Sequence, residues 1–308
     1  MRRLAYLTAL LTGLVSSSLA FCAENPQQPD STAQTHSTSQ QRNSSTKFHV
    51  KPGSRDDINA IGKRNIVGTD FYSLEKEIEL GKGEARRVEE GIKLLNDPSI
   101  TEYIARIGQN LVHNSDVKIP ATIKVVDSEE INAFSVAGGY VYVNSGMVLD
   151  CKNEAELAGV MAHVIAHVAA RHATRMWTRE QIARVNGPSL ITALPDPRSD
   201  GAVLTRGLTF LKFHRLFEAE ADYFGIQYLY KSGYDPMAFV TRLERKDTAH
   251  IKPGSLSAAF SNEPLPVERI AAAKKEISRI LPPSDHLIVN TPEFDSIKTR
   301  LAERKSPK

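Results

Sequence analysis

The chain of 308 residues has almost no cysteine. Cys22 and Cys151 are its two, so no disulfide framework can hold the fold, and a hydrophobic core must do so. It has no excess of either charge: Lys and Arg number 39, Asp and Glu 36, for a net +3. Arg2 and Arg3 account for two of those three charges. The basic excess of a nucleic-acid binder is missing, and no nucleic-acid partner is expected. Spanning a bilayer takes about 20 apolar residues, and the run from Leu4 to Val15 is shorter. No internal repeat is evident. Tryptophan occurs once, at Trp177, which reads as a core or surface anchor. What remains is 41% hydrophobic and 24% charged, ordinary for a globular chain long enough to bury a core. A collagen, a polytopic membrane protein and a wholly disordered chain are excluded.

The first segment reads as an address. Met1-Arg2-Arg3, the apolar run and Ser16 to Ala20 form a basic, apolar and small-residue sequence, expected to be a secretory signal over residues 1–20. Export to the periplasm follows as an expectation. A rival is lipid attachment at Cys22, because Leu19-Ala20-Phe21-Cys22 resembles a bacterial lipobox; the bulk of Phe21 weighs against it. Peripheral association with a membrane surface is a related expectation. Residues 21–66 are read as a flexible polar leader, since Glu24 to Asp57 is rich in Gln, Ser, Thr and Asn.

A folded domain is expected over 67–284. Leu74, Ile78, Leu80, Val88, Ile92 and Leu95 recur at helical spacing between Ser73 and Asn96. Asp97-Pro98 stops that helix, and a second runs from Ile100 to Val112. Ala121 to Val126 and Ala133 to Asn144 are strand-like. Asn153, with Glu156 three residues on, forms a capping box for a helix over Ala155–Ala173. Further helices are expected over Thr209–Ser232 and Pro266–Ile280, and 186–207 is left unassigned. Residues 285–308 read as a tail, Pro-rich and then weakly helical. Helices, a small sheet, then mostly helices make this an α+β chain.

The chemistry lies on two of those helices. His163 and His167, four apart, share one helix face, a spacing that can grip a zinc ion. Two histidines so spaced on an apolar helix are by themselves more often unrelated. Glu218 and Asp222 are also four apart. A carboxylate on a second helix would complete a His-His-carboxylate site, and the second acid could orient an imidazole. The plainer reading is a solvated acidic face that includes Glu220.

The surrounding words decide between these readings. Ile131-Asn132-Ala133-Phe134, Gly138-Gly139-Tyr140-Val141-Tyr142-Val143-Asn144-Ser145-Gly146, Asn153 to Val160, His163 to His172, Glu218 to Asp222 and Gly233-Tyr234-Asp235-Pro236 occur in this order. Over roughly Phe71 to Ile280 the chain resembles the gluzincin metallopeptidases of the HtpX, BepA and Oma type, most of all their exported bacterial members. The resemblance implies a mostly helical zincin-like domain with a small sheet whose edge strand faces the active-site helix. It implies one Zn2+ per chain on His163, His167 and Glu218, with Asp222 holding an imidazole. It implies substrate binding along an edge strand at Gly138, Gly139, Tyr140 and Val141, and an extended or unfolded polypeptide as the partner.

Two departures qualify it. The family reads His-Glu-x-x-His, and Val164 stands where that Glu belongs. The Glu is the general base, taking a proton from the attacking water and passing it to the leaving nitrogen; valine can do neither. Its loss typically costs about 10²- to 10⁴-fold. Relatives also often carry Ser-x-His-Pro before the last helix, where this chain has Ser261-Asn262-Glu263-Pro264. Glu263 as a substitute base is a minor reading. Arg269 matches a family Arg and could steady an oxyanion or form a structural ion pair. His172 matches too, with a packing or hydrogen-bonding role expected. Three readings result: an impaired zinc endopeptidase, a zinc-binding pseudopeptidase with a chaperone or scaffold role, and a metal-free structural protein.

Overall fold

The computed structural model describes residues 50–185, 200–246 and 266–305, all within one compact unit spanning Lys47–Lys308. The signal segment, Cys22 and Ser261 to Pro264 lie outside the described residues. The fold is mostly helical with one small sheet, as the order of sequence patterns predicts.

Helix α1 (Leu74–Gly91) starts at Ser73, whose Oγ accepts from the backbone N–H of Lys76 at 3.2 Å. It buries the stripe Glu77, Gly81 and Ala85 rather than its large apolar residues. The reason is proximity: a Cβ on Gly81 would lie 2.2 Å from the carbonyl oxygen of Ala137. Helix α2 (Pro98–His113) begins with a proline in its first turn and buries Ile100, Ile104, Ile107 and Leu111 at helical spacing.

Strands β1 (Thr122–Val126), β2 (Ala133–Val136) and β3 (Tyr140–Asn144) lie in the order β1-β3-β2. β1 runs parallel to β3 and β2 antiparallel to it. Gly138 and Gly139, at φ 76° and 84°, make the turn between β2 and β3. β3 is therefore the central strand, not the edge. The expectation that Gly138 to Val141 receive substrate is corrected by this pairing: Tyr140 and Val141 are matched on both sides, and Val141 is fully buried. The edge nearest the helix that carries His163 and His167 is β2.

Helix α3 (Ser145–Asp150) leads to α4 (Glu154–Ala169), capped by Asn153 Oδ1 on the N–H of Glu156 at 2.9 Å. The return half of the capping box is displaced: Glu156 accepts from the N–H of Lys152 at 2.8 Å and also binds Arg245. The expected helix through Ala173 breaks at Ala170–Arg171. Arg171 takes φ 56°, and its guanidinium is held by Glu77 at 2.5 Å and the carbonyl of Tyr72 at 2.8 Å. Helix α5 (His172–Val185) then sets off in a new direction.

Helix α6 (Asp200–Lys231) starts earlier than predicted and ends at Gly233, φ 88°. Helices α7 (Met237–Lys246), α8 (Pro266–Ile280) and α9 (Pro292–Lys305) follow. Both predicted domain limits were too narrow. In the supposed leader, Ile58 is buried and Arg64 pairs with Asp116 inside the fold. In the supposed tail, α9 buries Phe294, Ile297 and Leu301. Each end carries few apolar residues, so its attachment is invisible to composition.

Candidate metal centre

Helices α4 and α6 pack closely because Gly225 allows it: a Cβ there would lie 3.0 Å from the Cα and backbone N of His163. Glu218, Asp222 and Gly225 follow one another at four and then three residues, so they share a face of α6. The face that touches α4 thus carries both acids, opposite His163 and His167.

The result is a tight cluster. His163 Nε2 and His167 Nε2 stand 3.2 Å apart. One oxygen of Glu218 lies 3.3 Å from His163 Nε2 and the other 3.4 Å from His167 Nε2. Among the described residues this is the one group of three such side chains close enough to share an ion. Two ligands about 2.0–2.1 Å from a tetrahedral ion stand about 3.3 Å apart, so the spacing suits zinc.

The other ring nitrogens have partners. His163 Nδ1 meets Asp222 Oδ1 at 2.8 Å, and His167 Nδ1 meets His172 Nδ1 at 2.9 Å. If each Nδ1 donates, both Nε2 lone pairs and a carboxylate face one point, a set of acceptors suited to a cation. Burial opposes charge on His163, but its hydrogen bonds to Asp222 and Glu218 outweigh that and push its pKa up to about 9. Burial, with charge on His163 and His172, holds His167 well below the ordinary histidine value. Burial would also raise Glu218, yet its bonds to the histidines hold it at about 2. Without a metal, His163 thus carries the proton, and a proton and a metal ion compete for its Nε2 lone pair.

Val164 follows the first histidine and is 4% exposed. It lines a cavity of about 500 Å³ with His163, Glu218, Phe239, Ala133 and Arg269. The position opens on the cavity, with no proton-transfer group on it. Arg269 donates through Nε and Nη2 to both oxygens of Asp222, each at 2.7 Å. Its Nε and Nη2 thus form an ion pair with Asp222, while the residue also lines the cavity.

Glu220 corrects an expectation. It is not solvated: its Oε2 accepts from Arg175 at 2.8 Å and lies 3.1 Å from His172 Nε2. Burial opposes ionisation, but His172 and Arg175 hold its pKa at about 2. Acidic spacing on a helix gave no sign of this, because the partners come from α5 across the break at Arg171. Tyr72 and Trp177 meet edge to face at 5.5 Å, which makes Trp177 an anchor for the segment before α1.

Residues 98–277 match the model of peptidase family M48. Over 245 residues the chain is 32% identical to the beta-barrel assembly-enhancing protease of Escherichia coli K12, covering 76% of this chain and 50% of that protein. It is 33% identical over 177 residues to the mitochondrial metalloendopeptidase OMA1 of Schizosaccharomyces pombe, 55% of this chain and 51% of that one. It is 26% identical over 189 residues to the metalloprotease LoiP of Escherichia coli K12, 59% and 73% respectively. The chain thus spans about half the length of the beta-barrel assembly-enhancing protease that it matches.

Proposed function

The chain belongs to peptidase family M48, and from that premise we propose that it is a zinc metalloendopeptidase-type protein of the bacterial envelope, acting on unfolded or misfolded polypeptide and strongly slowed by Val164. The observation that carries this reading is the convergence of His163, His167 and Glu218 from two helices at 3.2–3.4 Å.

Zinc held there would polarise a substrate carbonyl and make water a better nucleophile. The chain's own residues do the rest. Asp222 holds His163 by Nδ1, and Arg269 holds Asp222. Among the described residues β2 has no strand on its outer edge, and the adjoining Ile131, Asn132 and Ala133 line the cavity. An extended segment added there gains main-chain hydrogen bonds with little demand on its side chains, which suits a loosely specific peptidase. This assigns the substrate edge to Ala133–Val136 in place of Gly138–Val141. Val164 removes the proton acceptor from the cavity wall without disturbing the ligands.

The same residue supports a second reading, a zinc-binding pseudopeptidase that holds unfolded segments as a chaperone or scaffold. We place the protein outside the cytoplasm on the signal-like residues 1–20; among the described residues no helix is long and apolar enough to cross a membrane. Mass spectrometry of the mature N-terminus should find a start near Phe21, and a lipid on Cys22 would replace that with an anchored form.

The deciding experiment pairs metal analysis with casein cleavage. About one zinc per chain is expected. Val164→Glu should raise cleavage by about 10²-fold or more, because it restores a general base. Val164→Gln, similar in shape but unable to take the proton, should not, and chelator should abolish the gain. Flat activity in Val164→Glu with zinc bound and the fold intact would make the pseudopeptidase reading the better one.

A further inference from the structure

We infer that His172 and Glu220 are positioning residues: with Arg175 they form a relay that fixes the tautomer of His167, so that its Nε2 turns a lone pair toward His163 and Glu218. The inference rests on the zinc reading above and concerns how this chain prepares that site.

The polarity of the relay follows from its far end. Glu220 Oε2 lies 3.1 Å from His172 Nε2. A carboxylate offers only acceptors, so the proton between them sits on His172 Nε2. In a neutral ring that leaves His172 Nδ1 as an acceptor. His167 Nδ1, 2.9 Å away, must then be the donor. A neutral His167 with its proton on Nδ1 has its lone pair on Nε2, the nitrogen that faces His163 and Glu218. Run the other way, the relay would set a ring lone pair against the Glu220 carboxylate at 3.1 Å, which is repulsive.

Every member is fixed in place. Arg175 Nη1 donates to the same Glu220 oxygen at 2.8 Å and to the carbonyl of Ala170 at 3.1 Å. The His172 ring stacks on Phe217 with centroids 4.3 Å apart and planes 14° apart, and Phe217 lies under the Arg175 guanidinium at 4.8 Å. The ring reaches His167 because the chain turns at Arg171, whose φ of 56° is costly for a residue with a side chain. Glu77 and the Tyr72 carbonyl hold that turn. The chain thus keeps a strained break one residue before the imidazole it aims.

The two ligating histidines are consequently oriented by different devices. His163 leans on a carboxylate directly, and His167 leans on one through a second imidazole. Orienting partners of this sort typically change metal affinity by about 10- to 100-fold.

The experiment uses the whole protein and Zn2+ as the probe, in competition with a chromogenic chelator. His172→Leu and Glu220→Ala should each weaken zinc binding by about 10- to 100-fold. His172→Asn puts an amide oxygen near the place of Nδ1 and should stay close to the unaltered chain, which a merely space-filling role for His172 does not predict. Long-range ¹H–¹⁵N spectra of the unaltered metal-free protein, labelled at histidine, should show His167 with its proton on Nδ1; this readout needs no variant to fold. A proton found on His167 Nε2 overturns the relay. So does unaltered affinity in both His172→Leu and Glu220→Ala while Glu218→Ala loses the metal. If the unaltered chain binds no zinc, the metal reading itself fails, and the relay loses its purpose with it.

Discussion

Asp222 shows how much one side chain can organise at this site. It accepts from His163 Nδ1 through one oxygen, and Arg269 grips both of its oxygens. An imidazole so held offers its other nitrogen in a fixed direction. Asp222→Ala should therefore weaken zinc binding by about 10- to 100-fold, with the secondary structure unchanged by circular dichroism. Equal affinity in the variant would show that packing alone aims His163. That His163, His167 and Glu218 would come together was legible only through the family words around them, because a spacing of four puts two side chains on one face but does not say what that face meets. The place of Asp222 beside an imidazole was implied by the same resemblance. The place of Glu220 was not, since its partners arrive from α5, whose direction depends on a backbone conformation at Arg171 that no residue pattern announces. A solvated acid and a half-buried, doubly bonded one look the same in a list of charges.

At the scale of elements, helices fixed by caps and periodicity were read well, and contacts between elements were not. The starts of α1 and α4 lie at Ser73 and Asn153 as read, while α1 stops at Gly91, short of Asn96, and Pro98, read only as a stop, opens α2. The order of strands does not follow from alternation, because alternation does not say which neighbours a strand will have. β3 is thus the centre of the sheet, and among the described residues β2 is an edge strand. Glycine carried the missing information. Gly225 lets α6 approach α4 at the level of His163. Gly225→Ala would place a methyl group 3.0 Å from main-chain atoms that cannot swing aside. Overpacking of that kind costs about 1–3 kcal/mol, against about 1 kcal/mol gained in helix propensity. The net should be a modest loss of stability, read as a lower urea midpoint. The larger effect should fall on zinc affinity, because moving α6 outward carries Glu218 away from both histidines. A variant that binds zinc as before would mean that the interface relaxes elsewhere.

Across the whole molecule, a buried polar network ties segments that are far apart in sequence. Arg64 donates to Asp116 at 2.6 Å and 3.1 Å and to Gln227 at 2.6 Å. Tyr228 donates to Asp116 at 2.9 Å, and Gln227 donates to Glu276 at 3.1 Å. The network joins the segment before α1, the loop after α2, α6 and α8. Burial pushes the Glu276 carboxyl up from the ordinary 4.5 to about 9, with Asp222 and Asp56 adding to the effect of burial. Its folded pKa lies above its unfolded one, so its stabilising contribution is complete below about pH 4.5 and falls as pH rises toward 9. Glu276→Gln keeps an acceptor for Gln227 and cannot ionise. It should flatten the decline in the urea midpoint between pH 5 and pH 9, and an unchanged slope would exclude Glu276 as its cause. The other end of the network tests the domain limit. Arg64 and Asp116 have side chains 1% and 0% exposed. A chain that begins at residue 67 would leave Asp116 buried, with Tyr228 but no cation beside it. Losing one partner of a buried ion pair typically costs about 3–5 kcal/mol. A chain that begins at residue 50 keeps Arg64 and should match the full-length protein in urea. The chain from 67 should unfold at much lower urea, and Arg64→Ala in the full-length protein should reproduce most of that loss. If Arg64→Ala unfolds at the same midpoint as the parent, the early segment is held by Ile58 and its neighbours rather than by charge.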